Sequence, residues 1–255
     1  MRRTLVLISI LILKLNYVSG QDFIGYKDGN GVFFDSEENT FVDFNYNKIK
    51  GIDYRDGLKP LFINDNSIIY LDENSIQLNI FSDSKVKIIN LDKKPYYTTA
   101  NDLTNIIVLS DEDFILKIIW VNIGNTYKSI DGFAPVFIDN QLYFSNYSDV
   151  KSPTDISVDI FKADIDSAMN ISNVFKITSG IAGDGWYITP DSKYIIGTKI
   201  FSGNLKDVIF TISSKNFTVL YTELLSSGYR PFYSIKDKTL YFYNSKDRIK
   251  INLPM

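Results

Sequence analysis

"GWYITPDSKYIIGTK", residues 185–199, holds one apolar run, a break at Pro190-Asp191-Ser192, and a second apolar run at Tyr194-Ile195-Ile196. Proline, aspartate and serine between two short apolar runs read as a hairpin turn joining two strands, with Asp191 folded onto local backbone donors. The same plan recurs along the chain. "KPLFINDNSIIYLDE" begins at Lys59, "KPYYTTANDLTNIIVLS" at Lys94, "APVFIDNQLYFSN" at Ala134 and "RPFYSIKDKTLYFYN" at Arg230, with a weaker copy, "DFIGYKDGNGVFFDS", at Asp22. Taking Ile24, Phe62, Tyr97, Phe137, Ile188 and Tyr233 as equivalent, the spacings are 38, 35, 40, 51 and 45 residues. A period of this length accommodates four short strands per unit.

The runs between the turns support that count. Ile76, Leu78 and Ile80 alternate with Gln77 and Asn79, and Val86 and Ile88 alternate with Lys85 and Lys87, the period of a strand with two unlike faces. Ile106-Ile107-Val108-Leu109 and Leu240-Tyr241-Phe242-Tyr243 read as strands buried on both faces. Asp28-Gly29-Asn30-Gly31 is the clearest tight turn. A single helical turn is expected around Asp164 to Met169. Antiparallel units of four strands cannot bury both faces alone, and stacking them radially covers those faces. The reading is therefore an all-β chain, a β-propeller over residues 21–255 with six blades, five being the alternative. The last copy has only about 23 residues and is expected to be three-stranded or completed by an N-terminal strand. A β-sandwich would not produce this self-similarity.

Residues 1–20 read as a signal peptide. Arg2 and Arg3 precede an apolar run from Leu5 to Leu13, and Val18-Ser19-Gly20 supplies small residues before Gln21. The run stops at Lys14, short of the roughly 20 residues that span a bilayer; a retained anchor is the competing reading. Cleavage after Gly20 leaves 235 residues with 24 basic and 30 acidic side chains, a net charge of −6. The leader predicts a secreted or periplasmic protein with no integral span after cleavage, and the acidic balance predicts no nucleic-acid partner. The chain has no cysteine, so packing and sheet hydrogen bonds must supply its stability without disulfides.

"TPDSKYIIGTK" resembles the "SPDGK" signature of the PD40 (WD40-like) repeat found in TolB-type propellers. "FAPVFIDNQLYFSN", followed by "VDIFKADID" at Val158 to Asp166, is similar to a further unit of that repeat. Ser192 stands where the repeat usually has glycine, and the other copies replace the Pro-Asp pair. The resemblance is strongest from Phe133 to Asn244 and faint before Lys59, implies a six-bladed propeller at superfamily level, and does not carry over the role of TolB.

The chain also has no histidine, so Ser-His-Asp and Cys-His nucleophile systems and the usual His/Cys zinc sites cannot be assembled from it. No cofactor or metal site is expected. Paired carboxylates remain open, since glycosidases need only Asp and Glu. However, the acidic clusters Glu37-Glu38, Asp72-Glu73 and Asp111-Glu112-Asp113 sit where turns are expected. Asp28-Gly29-Asn30-Gly31 and Asp111-Glu112-Asp113 offer oxygen ligands for calcium, yet neither completes an EF-hand loop.

One constellation follows from the repeat. Lys59, Lys94 and Arg230 share a position at the entry of the innermost strand, and Asp56, Asp92, Asp131 and Asp184 lie just ahead of the same boundary. Lys59, Lys94 and Arg230 are the candidate ligand-binding residues, at one mouth of the central channel, against the reading that they are solvated loop residues. Trp120 and Trp186 read as core. The expected function is a non-enzymatic scaffold binding a protein, peptide or glycan at the cell envelope. An Asp/Glu-dependent carbohydrate-active hydrolase is the alternative.

Overall fold

A computed structural model of the chain describes residues 21–65, 67–82, 85–100, 106–111, 113, 115–121, 127–138, 141–152, 155–166, 170–182, 186–189, 193–201, 204–211, 217–218, 230–243 and 248–251. The expected leader, the turn Pro190-Asp191-Ser192 and Asp184 lie outside the described residues. Two compact units form, Gly20–Phe144 with Ala163–Ser172, and Ser145–Lys162 with Asn173–Met255.

Among the described residues all regular structure is β-strand, in six successive groups. The first comprises β1 (Gln21–Lys27), β2 (Asn30–Asp35) and β3 (Thr40–Val42). The second is β4 (Leu58–Ile63), β5 (Ser67–Asp72), β6 (Gln77–Ser82) and β7 (Lys85–Asn90), and the third is β8 (Pro95–Ala100), β9 (Ile106–Asp111), β10 (Ile115–Trp120) and β11 (Tyr127–Asp131). The fourth follows with β12 (Phe133–Ile138), β13 (Gln141–Ser152), β14 (Asp155–Ile165) and β15 (Ile171–Ala182). The fifth is β16 (Tyr187–Ile188), β17 (Tyr194–Phe201), β18 (Asn204–Thr211) and β19 (Phe217–Thr218), and the sixth is β20 (Arg230–Ser234), β21 (Thr239–Tyr243) and β22 (Arg248–Ile251).

Neighbouring strands within each group pair in chain order, the meander from which β-propellers are built. Each of the six positions aligned by sequence falls on the first strand of its group, from Ile24 in β1 to Tyr233 in β20. The last group is three-stranded, as its length predicts. Within the first unit, β1, β4, β8 and β12 each lie against the next, and β1 meets β4 in parallel through Gly25 and Ile63. The protein is an all-β, propeller-type chain. Among the described residues no helix is long and apolar enough to cross a membrane.

The cores sit between successive meanders. Ile24, Val32, Phe34 and Phe41 of the first pack with Ile63 and Tyr70 of the second. Ile69, Leu71, Leu78 and Ile80 of the second pack with Ala100, Ile107 and Leu109 of the third. Ile196 of the fifth packs with Leu240, Phe242 and Ile251 of the sixth. This arrangement explains why β9 is buried at every position: it has a meander on each face, and alternation disappears.

Local chemistry sets the turns. Asp28 and Gly29 form a two-residue hairpin loop with φ of 51° and 70°, the positive pair that a type I′ turn requires. Thr189 N–H donates to the Tyr194 carbonyl at 3.0 Å and Tyr194 N–H to Thr189 Oγ1 at 3.1 Å. These bonds close the strands flanking the opening stretch into a hairpin, with Ile188 opposite Ile195. Register shifts fall at Phe23/Gly25, Pro60/Phe62 and Pro95/Tyr97, so the first strands of three meanders carry a bulge at nearly the same place. In two of them the bulge follows a proline, which has no N–H for the ladder.

Three expectations are corrected. Asp164 and Ile165 end strand β14 instead of opening a helical turn, because β14 extends the ladder that far; the rest of that expected turn lies largely outside the described residues. Ile76 belongs to a turn with φ 53°, and Asn79 is buried beside Leu78 and Ile80, since both faces of β6 meet neighbours. Val86 and Ile88 face solvent, because the short third strand of the first meander leaves the outer strand of the second uncovered.

Candidate functional site

Three second strands end in aspartate: Asp35 in β2, Asp72 in β5 and Asp111 in β9. Each carboxylate folds over the turn that follows. Asp35 Oδ1 accepts the N–H groups of Glu37 and Glu38 at 3.0 and 3.1 Å. Asp72 Oδ1 accepts those of Asn74 and Ser75 at 2.9 and 3.2 Å, and Asp111 Oδ1 those of Asp113 and Ile115 at 3.0 and 3.3 Å. These are Asx-type turns, and bonding to Ser75 holds the Asp72 carboxyl below its ordinary value. The turn formed by Asp28 and Gly29 is anchored separately, with Asp28 N–H donating to Asp65 Oδ1 at 2.6 Å.

The Asp72 turn delivers Glu73 to the end of the second meander where β4 begins. There Lys94, immediately ahead of β8, places its ammonium 2.7 Å from Glu73 Oε1. The hydrogen bond from Lys94 holds the Glu73 carboxyl below its ordinary value against partial burial, with the charges of Lys94 and Lys59 adding to it. The structure thus pairs Lys94 with Glu73, and the charge of Lys59 acts on the same carboxylate without an ion pair to it among the described residues. Lys59 is exposed on β4. Arg230 opens β20, its backbone opposite Tyr243, and its side chain lies outside the described residues. Asp56 and Asp131 are exposed.

A second charged group stands beside the first. Lys117 in β10 reaches Asp92 Oδ1 and Oδ2 at 2.6 and 2.7 Å and Asp111 Oδ2 at 3.2 Å. The side chains of Lys117 and Asp111 are 13% and 2% exposed, that of Asp92 65%. Burial opposes the Lys117 charge, but the bonds and charges of Asp92 and Asp111 outweigh it and raise its pKa. The bond from Lys117 in turn lowers that of Asp92. Lys93 pairs with Asp113. The sequence signal for Lys117 was a single charge inside the apolar run Ile115-Leu116-Lys117-Ile118-Ile119, and its partners come from other strands and turns.

A cavity of about 380 Å³, undetected in the sequence, opens between the linker that follows β3 and the face of the second meander. Lys27, Arg55 and Lys85 line it with Asp53 and Asp65, over Tyr70 and Phe81. The Arg55 guanidinium carbon lies 4.2 Å from the centre of the Phe81 ring, a cation–π contact. The Tyr70 hydroxyl donates to the Asp53 carbonyl at 2.8 Å, and burial pushes its pKa up to about 12, keeping it a donor. Trp186 is core, as expected, its Nε1–H donating to Ser145 Oγ at 2.6 Å; Trp120 is half-buried in β10. Among the described residues no group of three or more acidic side chains is placed to hold a metal ion.

No protein-family model matches the chain, and no curated protein matches it in sequence. Solved structures do resemble it. One is a functionally unknown protein from Desulfotomaculum acetoxidans DSM 771, with a TM-score of 0.55 at 13% identity, covering 92% of this chain and 76% of that one. Another is an oligogalacturonate lyase in complex with manganese, with a TM-score of 0.44 at 12% identity, covering 91% of this chain and 88% of that one. The first likeness speaks to the fold alone, and the second is too distant to carry an argument about this chain.

Proposed function

We propose that this chain is a non-enzymatic, PD40/TolB-like propeller scaffold, exported by its N-terminal leader. It binds a protein, peptide or glycan at the cell envelope through the meander ends that carry Lys59 and Lys94. The observation that supports this most is the state of the carboxylates there. Asp35, Asp72 and Asp111 cap turns, Glu73 and Asp92 are paired with lysines, and Asp113 pairs with Lys93. Glycoside cleavage needs one carboxyl held protonated by a raised pKa, whereas Glu73 and Asp92 are shifted the other way. The Lys94–Glu73 pair is about half exposed on both sides and hence weak. An incoming carboxylate or sugar hydroxyl can therefore exchange for Glu73 at little cost.

The test combines peptide and glycan arrays with a polysaccharide-cleavage panel on the purified chain. Saturable binding without turnover is expected, weakened roughly tenfold by Lys59→Glu with Lys94→Glu while the melting transition stays intact. Unchanged binding would remove these residues from the site. Cleavage of a glycan, abolished by one Asp→Asn or Glu→Gln change, would replace the scaffold reading with the hydrolase.

A further inference from the structure

The second meander presents a face that the first leaves partly open. Across β5, β6 and β7 run two rows of paired residues, Ile68–Phe81–Val86 and Tyr70–Asn79–Ile88. Ile68, Tyr70 and Phe81 pack in the cluster shared with the first meander, so this is the face turned toward it. That meander has a short third strand, β3, followed by the isolated bridge Val42–Lys48. It buries Tyr70 completely but does not reach the outer strand, and Val86 and Ile88 are 55% and 56% exposed. Between Tyr70 and Ile88, Asn79 is 8% exposed and its Nδ2 has no hydrogen-bond partner.

Among the described residues β7 is also the terminal strand of its sheet, with one side of its backbone free of ladder bonds. Its exposed apolar residues alternate with Lys85 and Lys87, and the adjoining cavity is lined by Lys27 and Arg55 together with the carboxylates of Asp53 and Asp65. Among the described residues none of Lys27, Lys85 and Lys87 is in an ion pair. An open edge, an uncovered apolar row and unneutralised cations therefore coincide on one strand.

We propose that β7 and the cavity beside it dock an extended acidic peptide. The peptide adds as a strand to the β7 edge, lays alternate apolar side chains over Val86 and Ile88, and turns its carboxylates toward Lys85 and Lys87. The end of the peptide meets the cavity, where Lys27, Arg55 and Lys85 outnumber Asp53 and Asp65 by one charge. A second copy of the chain is a poorer occupant, because antiparallel pairing of β7 with itself sets lysines against lysines. The site begins at the opposite end of β7 from the linker bearing Lys94, so it stands or falls separately from the meander-end reading.

Fluorescence anisotropy with the full chain and a labelled peptide alternating Glu and Val tests this. The same peptide with Gln for Glu, and one N-methylated at alternate backbone nitrogens, are the comparisons. Binding of the Glu peptide should weaken with salt, fall about tenfold for the Gln peptide, and vanish on N-methylation, which blocks strand addition without altering charge. Lys85→Glu with Lys87→Glu should weaken it about tenfold or more with an unchanged melting transition, and Lys94→Glu should leave it unchanged. Equal binding of the Glu and Gln peptides, indifference to N-methylation or to the β7 charge reversal, or loss on Lys94→Glu would each overturn the proposal. A dimer of the chain alone that the β7 variant dissolves would overturn it in favour of self-association.

Discussion

A single methyl group added at Gly25 probes the junction between the first two meanders. Gly25 has φ 145° and lies opposite Ile63, where β1 and β4 run parallel. A Cβ there would sit far inside van der Waals contact of the Ile63 carbonyl oxygen and 3.0 Å from its carbonyl carbon. The obstacle is backbone, so no rotamer change relieves it and the strands must part. Backbone strain for an L-residue at this φ is about 1–3 kcal/mol, and forced separation of packed elements adds about 1–3 kcal/mol. Gly25→Ala is therefore expected to cost about 2–6 kcal/mol, a melting-temperature drop of roughly 4–24 °C for a chain of this size. Gly29→Ala is the control: its φ is 70° but nothing lies within 4 Å of the added methyl, so the loss should be about 1 kcal/mol. Urea and thermal unfolding followed by circular dichroism read both. A Gly25→Ala loss no larger than that of Gly29→Ala would refute the reasoning, because backbone angle alone would then account for it.

Lys117→Met should cost about 2–4 kcal/mol, since it leaves the buried Asp111 carboxylate without its cation. Asp92→Asn, at a side chain 65% exposed, should cost under about 1 kcal/mol, and equal losses in urea unfolding would contradict this ordering. Glu73 and Asp92 have folded pKa values below their ordinary 4.5 and 3.8, so the folded chain binds fewer protons than the unfolded one in that range. Their stabilisation is present above those ordinary values and is lost as pH falls through the lower folded ones, by under about 1 kcal/mol each at these half-exposed sites. A urea midpoint that does not fall on acidification below that range would rule out the contribution. The Lys117 contribution runs the other way, being lost as pH rises through its raised folded value above 10.5.

How much was legible in the sequence depended on the range of the interaction. The Asp28-Gly29 turn follows from the φ preferences of two residues, and the six first strands follow from a repeat that locates Ile24, Phe62, Tyr97, Phe137, Ile188 and Tyr233. The turn role of Asp72 and Asp111 was legible for the same reason, since each bonds N–H groups within four residues of itself. Lys59 and Lys94 were found by their place in the repeat. Glu73, the partner of Lys94, was not, because it comes from the turn after a different strand. Val86 and Ile88 illustrate the opposite failure: alternation identified β7, but the sign of its faces depends on how far the neighbouring meander extends.

The sequence by itself therefore determined the strand content, the repeat and its six meanders, and the chemistries that a chain without histidine or cysteine cannot assemble. These depend on composition and on contacts a few residues apart. Only the tertiary structure decided that Lys117 is clasped by Asp92 and Asp111, that Gly25 must lack a side chain, and that the outer strand of the second meander stays uncovered. Each of these depends on register and reach between segments far apart in the chain, which propensity and periodicity do not encode.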